Sequence, residues 1–273
     1  MNLLLSAAIV AGAVAVSIGL LLLVRRHAPE GSFFADGDRA AGVFGVLATG
    51  FAVLLGFVVY LAFTSYDTAR SGARAEATDV IQQFETAQLL PRPASEKLSG
   101  ELICYGRAVV GVEWPALRAG EKPSFNPWGL QLFTTLQAVV PKTAAEQAAY
   151  AKWLDQTSDR EQARLDRVQA GSGVIPGPLR LLLFVTAALV AFYAFFFADS
   201  DEGRLAQAVI AGTLAAMLAT SLLVISFLNN PYAAGTGSLR PTDMERVLLQ
   251  INQASRALGL HVAVPCDAAG RPI

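Results

Sequence analysis

The chain has 273 residues, 53% hydrophobic and only 16% charged, with 21 basic against 22 acidic side chains and a formal net charge of −1. A soluble chain of this length makes one or two domains. A mean hydropathy of +0.45 excludes that class, and a balanced charge with no long basic block excludes nucleic acid as a partner.

The apolar excess is concentrated. Residues 3–24, 40–63, 181–198 and 205–228 contain no Asp, Glu, Lys or Arg, and each approaches the ~20 residues that carry a helix across ~30 Å of hydrocarbon. Backbone polar groups in lipid must be satisfied within their own segment, so runs of this kind are spanning helices. The first span lacks a basic leader and is followed by Arg25 and Arg26 rather than a small-residue cleavage site, so it is expected to stay in the mature protein. The lipid bilayer is the first expected partner.

The pattern predicts an all-α integral membrane protein whose four transmembrane helices form two hairpins, with an extramembrane helical domain between spans two and three. The first hairpin takes residues 1–64 and the domain 65–178, beginning as an extension of the second span. The second hairpin takes 179–228. An amphipathic tail, 229–273, lies on the same side as the domain. Orientation follows Lys and Arg near span ends. Arg25, Arg26, Arg39 and Arg204 flank the two short loops, which favours a multi-pass inner-membrane protein with short loops cytoplasmic and both termini outside. The acidic turn Asp199, Asp201 and Glu202, with Arg180 on the domain side, pulls toward the reverse orientation, which stays open.

In chain order, residues 64–90 contain no Pro and keep an apolar rhythm through Val80, Ile81, Phe84 and Ala87 until Pro91 and Pro93, so the second span should continue as one helix to about residue 90. A helix over 94–119 should be interrupted near Trp114 and Pro115. Asn126 followed by Pro127 reads as an N-cap with Pro in the first turn, opening a helix toward residue 140. Thr143 and Glu146 have capping-box spacing, opening a helix from 144 to about 168. The run 170–178, rich in Gly and Pro, turns the chain back to the membrane. No segment alternates with period two, so strands are not expected. The tail should form a helix over 241–258 with Val247, Leu248, Ile251 and Leu258 on an apolar face, packed on the domain.

Cys104 and Cys266 fall on the same side of the membrane. A disulfide is permitted there if that side is oxidising; two unpaired buried thiols are the favoured reading. His27 and His261 have no Cys or His at ligand spacing, so no metal or cofactor is expected. With no phosphate-cradling Gly loop and only Glu113 beside Trp114 as a suggestive acid, the chain is not expected to be an enzyme.

Two small-residue faces stand out. Ala41, Gly45, Ala48, Ala52 and Gly56 on the second span, and Ala208, Gly212, Ala215 and Ala219 on the fourth, recur at spacings of three and four and allow close helix approach. Packing within one chain is the favoured use; packing between subunits, or lining a pore at a symmetry axis, is the sharper one. No span carries an ionisable residue at membrane depth, which argues against a pump or coupled transporter. Arg160, Arg164 and Arg167 form a basic stripe on the last domain helix. Ion pairing with Glu76, Asp79 or Glu85 on the extended second span is the favoured account, and an anion-attracting vestibule is the functional one.

Several stretches resemble one known family. Gly56-Phe57-Val58-Val59, Tyr66-Asp67, Ala69, Glu76-Ala77, Leu89-Leu90-Pro91, Val112-Glu113-Trp114-Pro115, and Asn230-Pro231-Tyr232 with Gly235 are similar, in order, to the bacterial bestrophin-like family long known as DUF4239. True bestrophins are pentameric anion channels with a helical cytosolic domain. The resemblance therefore implies a homo-oligomeric, passive, anion-preferring channel, pentameric by analogy, with inorganic anions as permeants. In it the second span would line or adjoin the axis and its extension would build the vestibule. The acidic calcium-binding run of bestrophins is absent after Tyr232, so calcium gating is not implied. The rival expectation is a non-conducting scaffold or sensor that binds a partner protein through its helical domain.

Overall fold

The computed structural model describes residues 2–29, 33–171 and 173–273; Met1, positions 30–32 of the first loop and Ser172 in the 170–178 turn lie outside the described residues. Along the chain run α1 (Leu3–Arg25), α2 (Gly37–Ala87), α3 (Arg92–Ala108), a π-helical turn (Val109–Glu113), α4 (Trp114–Arg118), α5 (Pro127–Gln137), α6 (Ala144–Ala170), α7 (Gly177–Phe195), α8 (Arg204–Leu228) and α9 (Thr242–Ala257). Among the described residues there is no strand, only an isolated bridge between Cys266 and Pro272. Helices α1, α2, α7 and α8 are long and apolar enough to cross a membrane.

The local signals explain the boundaries. Asn126 Oδ1 accepts the Trp128 N–H and opens α5, and Thr143 and Glu146 make both bonds of the capping box that opens α6. α7 begins before the charge-free run because Arg180 sits in its first turn, behind Pro178. The expected interruption at Trp114 and Pro115 is a π turn that joins α3 to α4. Five residues of wider winding keep the chain helical while re-aiming its side chains.

The chain divides into two compact units, Met1–Thr64 with Val174–Asn229 and Ala234–Gly237, and Ser65–Gly173 with Asn230–Ala233 and Ser238–Ile273. In the first unit α8 lies against α1. A Cβ at Gly212 would meet Val14 and Ile18 at 3.4 Å, which is ordinary van der Waals contact, and Ser17 Oγ donates to Ala211 O at 3.3 Å. The end of α7 meets the start of α2 through the stacked rings of Phe44 and Tyr193, with Phe34 and Phe197 closing the cluster. Asn229 Oδ1 accepts the N–H groups of Val174 and Ile175 and holds the turn into α7.

The second unit is built round one core. Ala77, Val80 and Phe84 of α2, Leu98, Leu102 and Tyr105 of α3, Leu132 and Leu136 of α5, Trp153 of α6 and Ile251 of α9 are all buried in it. On α9 the expected face is seated through Val247 and Ile251, with Leu248 partly covered; Leu258 stands 55% exposed, because the helix ends at Ala257 and Leu258 is its cap. The last residues then return across the unit. Ala263 passes so close to Gly100 that a Cβ there would lie 2.0 Å from the Ala263 carbonyl oxygen, so only glycine fits. Cys266 is bonded to Cys104 of α3. This corrects the expectation of two unpaired thiols: both cysteines are buried, and the tail doubles back over 162 residues of chain to bring them together.

Candidate functional site

The chemistry of the helical unit is concentrated where α2, α6, the π turn and the segment after α8 meet. Gly72 makes the meeting possible. A Cβ there would lie 2.7 to 2.9 Å from Arg167 N, Ala163 O and Asp166 Cβ, so a larger residue would hold α2 and α6 apart. One turn further along α2, Glu76 grips Arg167 in a two-pronged pair, through Nε to Oε2 and through Nη2 to Oε1 at 3.0 Å. The π turn delivers Glu113, whose Oε2 accepts from Arg167 Nη2 at 2.6 Å and whose Oε1 accepts from Arg164 Nε at 3.2 Å and Asn126 Nδ2 at 2.9 Å.

Aromatic residues seal this cluster. Trp114 lies under the Arg167 guanidinium at 5.4 Å and meets the ring of Tyr232 edge-on at 5.3 Å. Tyr232 donates its hydroxyl to the Arg167 carbonyl oxygen at 2.9 Å. Tyr105 donates to Glu76 Oε1 at 2.7 Å, and its ring carries Arg160 at 4.6 Å. Arg160 in turn donates to Gln83 at 2.7 Å and to Glu161 at 3.0 Å. Glu76, Arg160 and Arg167 have no solvent-exposed surface.

Burial by itself would lower the pKa of Arg167, but the carboxylates of Glu76 and Glu113 outweigh it and hold the guanidinium firmly charged. Burial, reinforced by the Glu76 carboxylate, pushes the Tyr105 hydroxyl well above its usual range, and burial raises Tyr232 in the same way. Both phenols therefore remain donors. The arrangement fixes four chain segments with charge and shields that charge from solvent. Arg167 Nη1 and Arg160 Nε are the buried donors in it that lack a hydrogen-bond partner.

The arginine stripe, for which ion pairing with the extended second span is the favoured account and a vestibule the functional one, lies among acceptors. Arg160 and Arg167 point inward and are paired, and Arg164 keeps only 12% of its side chain exposed, against Glu113 and the Ser124 carbonyl. Of the three acids set opposite them, only Glu76 makes an ion pair with the stripe; Glu113, far away in sequence, pairs with Arg164 and Arg167, and Glu161, on α6 itself, pairs with Arg160. The motif residues Glu76, Glu113, Trp114 and Tyr232 all converge on Arg167. Pro231 is buried beside Tyr232, whereas Pro115 and Asn230 lie at the surface. Tyr105, Gln83 and the second role of Asn126 carried no local signal, because their partners are distant in sequence.

The two small-residue faces have different fates. On α8, Gly212 is buried and Ala208, Ala215 and Ala219 are partly covered, with Gly212 against α1. On α2, Ala41, Gly45, Ala52 and Gly56 are exposed and Ala48 is half-buried; a Cβ at Gly45 or Gly56 would meet nothing within 4 Å. Among the described residues no group of three His, Cys, Asp or Glu gathers to hold a metal ion.

The same fold occurs in crystal structures of a bacterial bestrophin homologue from Klebsiella pneumoniae. One point mutant aligns with TM-score 0.69 at 12% identity over 93% of this chain and 99% of its own, and a second with 0.67 at 12% over 89% and 98%. A structure described as that of a membrane protein aligns with 0.68 at 10% over 89% and 98%. No curated protein matches. The Bestrophin-like domain profile matches residues 11–243, and the chain belongs to the bestrophin-like family of multi-pass membrane proteins.

Proposed function

We propose that the protein is a passive, homo-oligomeric membrane channel in which the small-residue face of α2 turns toward neighbouring subunits or the axis. The observation that carries this reading is the difference between the two seams: the α8 face is used within the chain, whereas Ala41, Gly45, Ala52 and Gly56 remain uncovered. Spans without charge suit a pore that gates by hydrophobic constriction rather than a carrier. Anion preference rests on family membership alone, since Arg160, Arg164 and Arg167 are taken up by carboxylates, a glutamine and a backbone carbonyl.

The helical unit belongs, in this reading, on the oxidising side of the inner membrane. The Cys104–Cys266 disulfide supports it. Independently, Arg25, Arg26, Arg39 and Arg204 beside the short loops favour a cytoplasmic position for those loops.

Purified protein in planar bilayers, recorded under a potassium chloride gradient, tests the function. A reversal potential toward the chloride equilibrium value is expected, from a particle whose light-scattering mass is a multiple of one chain. Silent bilayers together with a monomeric mass would overturn it. Orientation is tested in spheroplasts: a membrane-impermeant maleimide should label Cys104 and Cys266 from outside only after reduction. The rival reading, a non-conducting scaffold that binds a partner protein through the helical unit, gains from the inward-turned arginines, and a sealed particle with a co-purifying protein would select it.

A further inference from the structure

The short-loop end of the membrane unit holds a basic cleft that the channel reading does not use. It has a volume of about 640 Å³ and lies between the end of α1 and the start of α8. Arg25, Arg26 and Arg204 line it, and Leu22 and Leu205 form its apolar walls. Arg25 is fixed: Nη2 donates to the Ser200 carbonyl at 2.7 Å and Nη1 reaches Gln207 Oε1 at 3.4 Å. Gln207, only 5% exposed, is locked in turn by donating to the Asp199 carbonyl and to Glu202 Oε2. Arg26 and Arg204 are exposed and able to reorient.

The neighbouring acids do not neutralise this cleft directly. Asp199 Oδ1 accepts from the Asp201 N–H, Glu202 is bonded to Gln207, and none of Asp199, Asp201 and Glu202 lines the cleft. α8 also begins here, with Gly203 as a cap residue that offers no side chain to its first-turn N–H groups. Three guanidinium groups and a helix N-terminus converging on one pocket suit a phosphate oxyanion. Leucine walls on two spanning helices add a flank for acyl chains, where a soluble anion would gain nothing.

We propose that Arg25, Arg26 and Arg204 form a binding site for the phosphate of an anionic phospholipid headgroup at the short-loop face of the membrane. The site is independent of whether the protein conducts. The pinned Arg25 orients the headgroup, and Arg26 and Arg204 close over it.

Native mass spectrometry of the delipidated full chain, titrated with phosphatidylglycerol or with phosphatidylcholine, tests the proposal. Phosphatidylglycerol adducts should exceed phosphatidylcholine adducts, and the double variant Arg26→Gln with Arg204→Gln should retain phosphatidylglycerol roughly 30-fold more weakly, at about one order of magnitude per 1.4 kcal/mol and about 1 kcal/mol per basic group. Arg26→Lys with Arg204→Lys, which keeps the charge, should retain most of it. Arg118→Gln with Arg246→Gln, which removes the same charge from exposed positions of the helical unit, should behave as the parent. A further titration with inorganic phosphate separates the sources: no competition at millimolar concentration is expected of a lipid site. Equal retention of both lipids, unchanged retention in the Arg26→Gln, Arg204→Gln variant, or displacement of the lipid by millimolar phosphate would overturn the assignment.

Discussion

The membrane unit and the helical unit solve the same problem, close packing of long helices, by opposite means. In the membrane unit α1 and α8 approach through Gly212 and Ala211, and residues 3–24, 40–63, 181–198 and 205–228 carry no charge. In the helical unit α2 and α6 approach at Gly72, but what secures them is a buried set of charges round Arg167. The surrounding medium explains the difference. In hydrocarbon there is no hydrophobic drive between helices, so small residues and shape complementarity do the packing. A water-facing domain can desolvate a charge if enough partners surround it, and the arrangement is then unforgiving.

The largest test of that contrast is Arg167→Met. It leaves Glu76 buried without its cation and Glu113 with Arg164 alone, and should destabilise the helical unit by about 3–5 kcal/mol. Trp114, Trp128 and Trp153 are the only tryptophans and all are buried in that unit, so their fluorescence melting curve reports on it alone. Glu76→Gln with Glu113→Gln in the same background should recover part of the loss. A melting curve indistinguishable from the parent for Arg167→Met would mean that the charges are ornamental and the contrast false.

Next in size is the disulfide. Cys104→Ser should cost about 2–4 kcal/mol in the same fluorescence melt. The parent protein should migrate faster on a gel without reductant than with it, and a parent that migrates identically in both would remove the bond from the account. In the membrane unit, Gly212→Leu should force α1 and α8 apart at a cost of about 1–3 kcal/mol, read as loss of helix by circular dichroism on heating in detergent. Gly56→Leu, on the uncovered face of α2, should leave that curve unchanged and alter the particle mass instead. Equal sensitivity of the two variants would erase the distinction between the seams.

The smallest effect concerns Asp79, on the polar extension of α2 beyond its apolar stretch. Partial burial, the Asp159 carboxylate and Glu76 raise its pKa from 3.8 to about 6, against the pull of Arg160 and Lys152. A carboxyl whose folded pKa is raised binds its proton more tightly in the folded state, so stability falls as pH rises from about 4 through about 6. Asp79→Asn should flatten that segment of the stability profile and raise the melting temperature slightly above pH 6. A profile as steep as the parent's would assign the titration to another group.

Much of the fold was legible because its signals are local. Charge-free length gives the spans, Asn126 and Thr143 give helix starts, and the proline at 91 bounds α2 to within a few residues. The site was not legible in the same way. Glu76 and Arg167 are 91 residues apart, Glu113 and Arg167 are 54 apart, and nothing in a helical stripe of arginines says whether it faces water or a buried carboxylate. The cysteines present the same difficulty at 162 residues. Equal spacing of small residues on two spans likewise says that a helix can come close, not which helix does. The motif residues that carried the resemblance were read as separate stretches, yet Glu76, Glu113, Trp114 and Tyr232 prove to be neighbours around one guanidinium.

The helical unit is discontinuous in sequence: 65–173 precede the last two spans, whereas Tyr232, α9 and Cys266 follow them. During synthesis, therefore, the core made by α2, α3, α5 and α6 must wait, with its Arg167 cluster still open on the Tyr232 side, until both later helices have been threaded and the tail delivered. Closure of the unit thereby requires that α7 and α8 cross as a pair, because a chain in which only one of them crosses leaves Tyr232, α9 and Cys266 on the face opposite the rest of the unit.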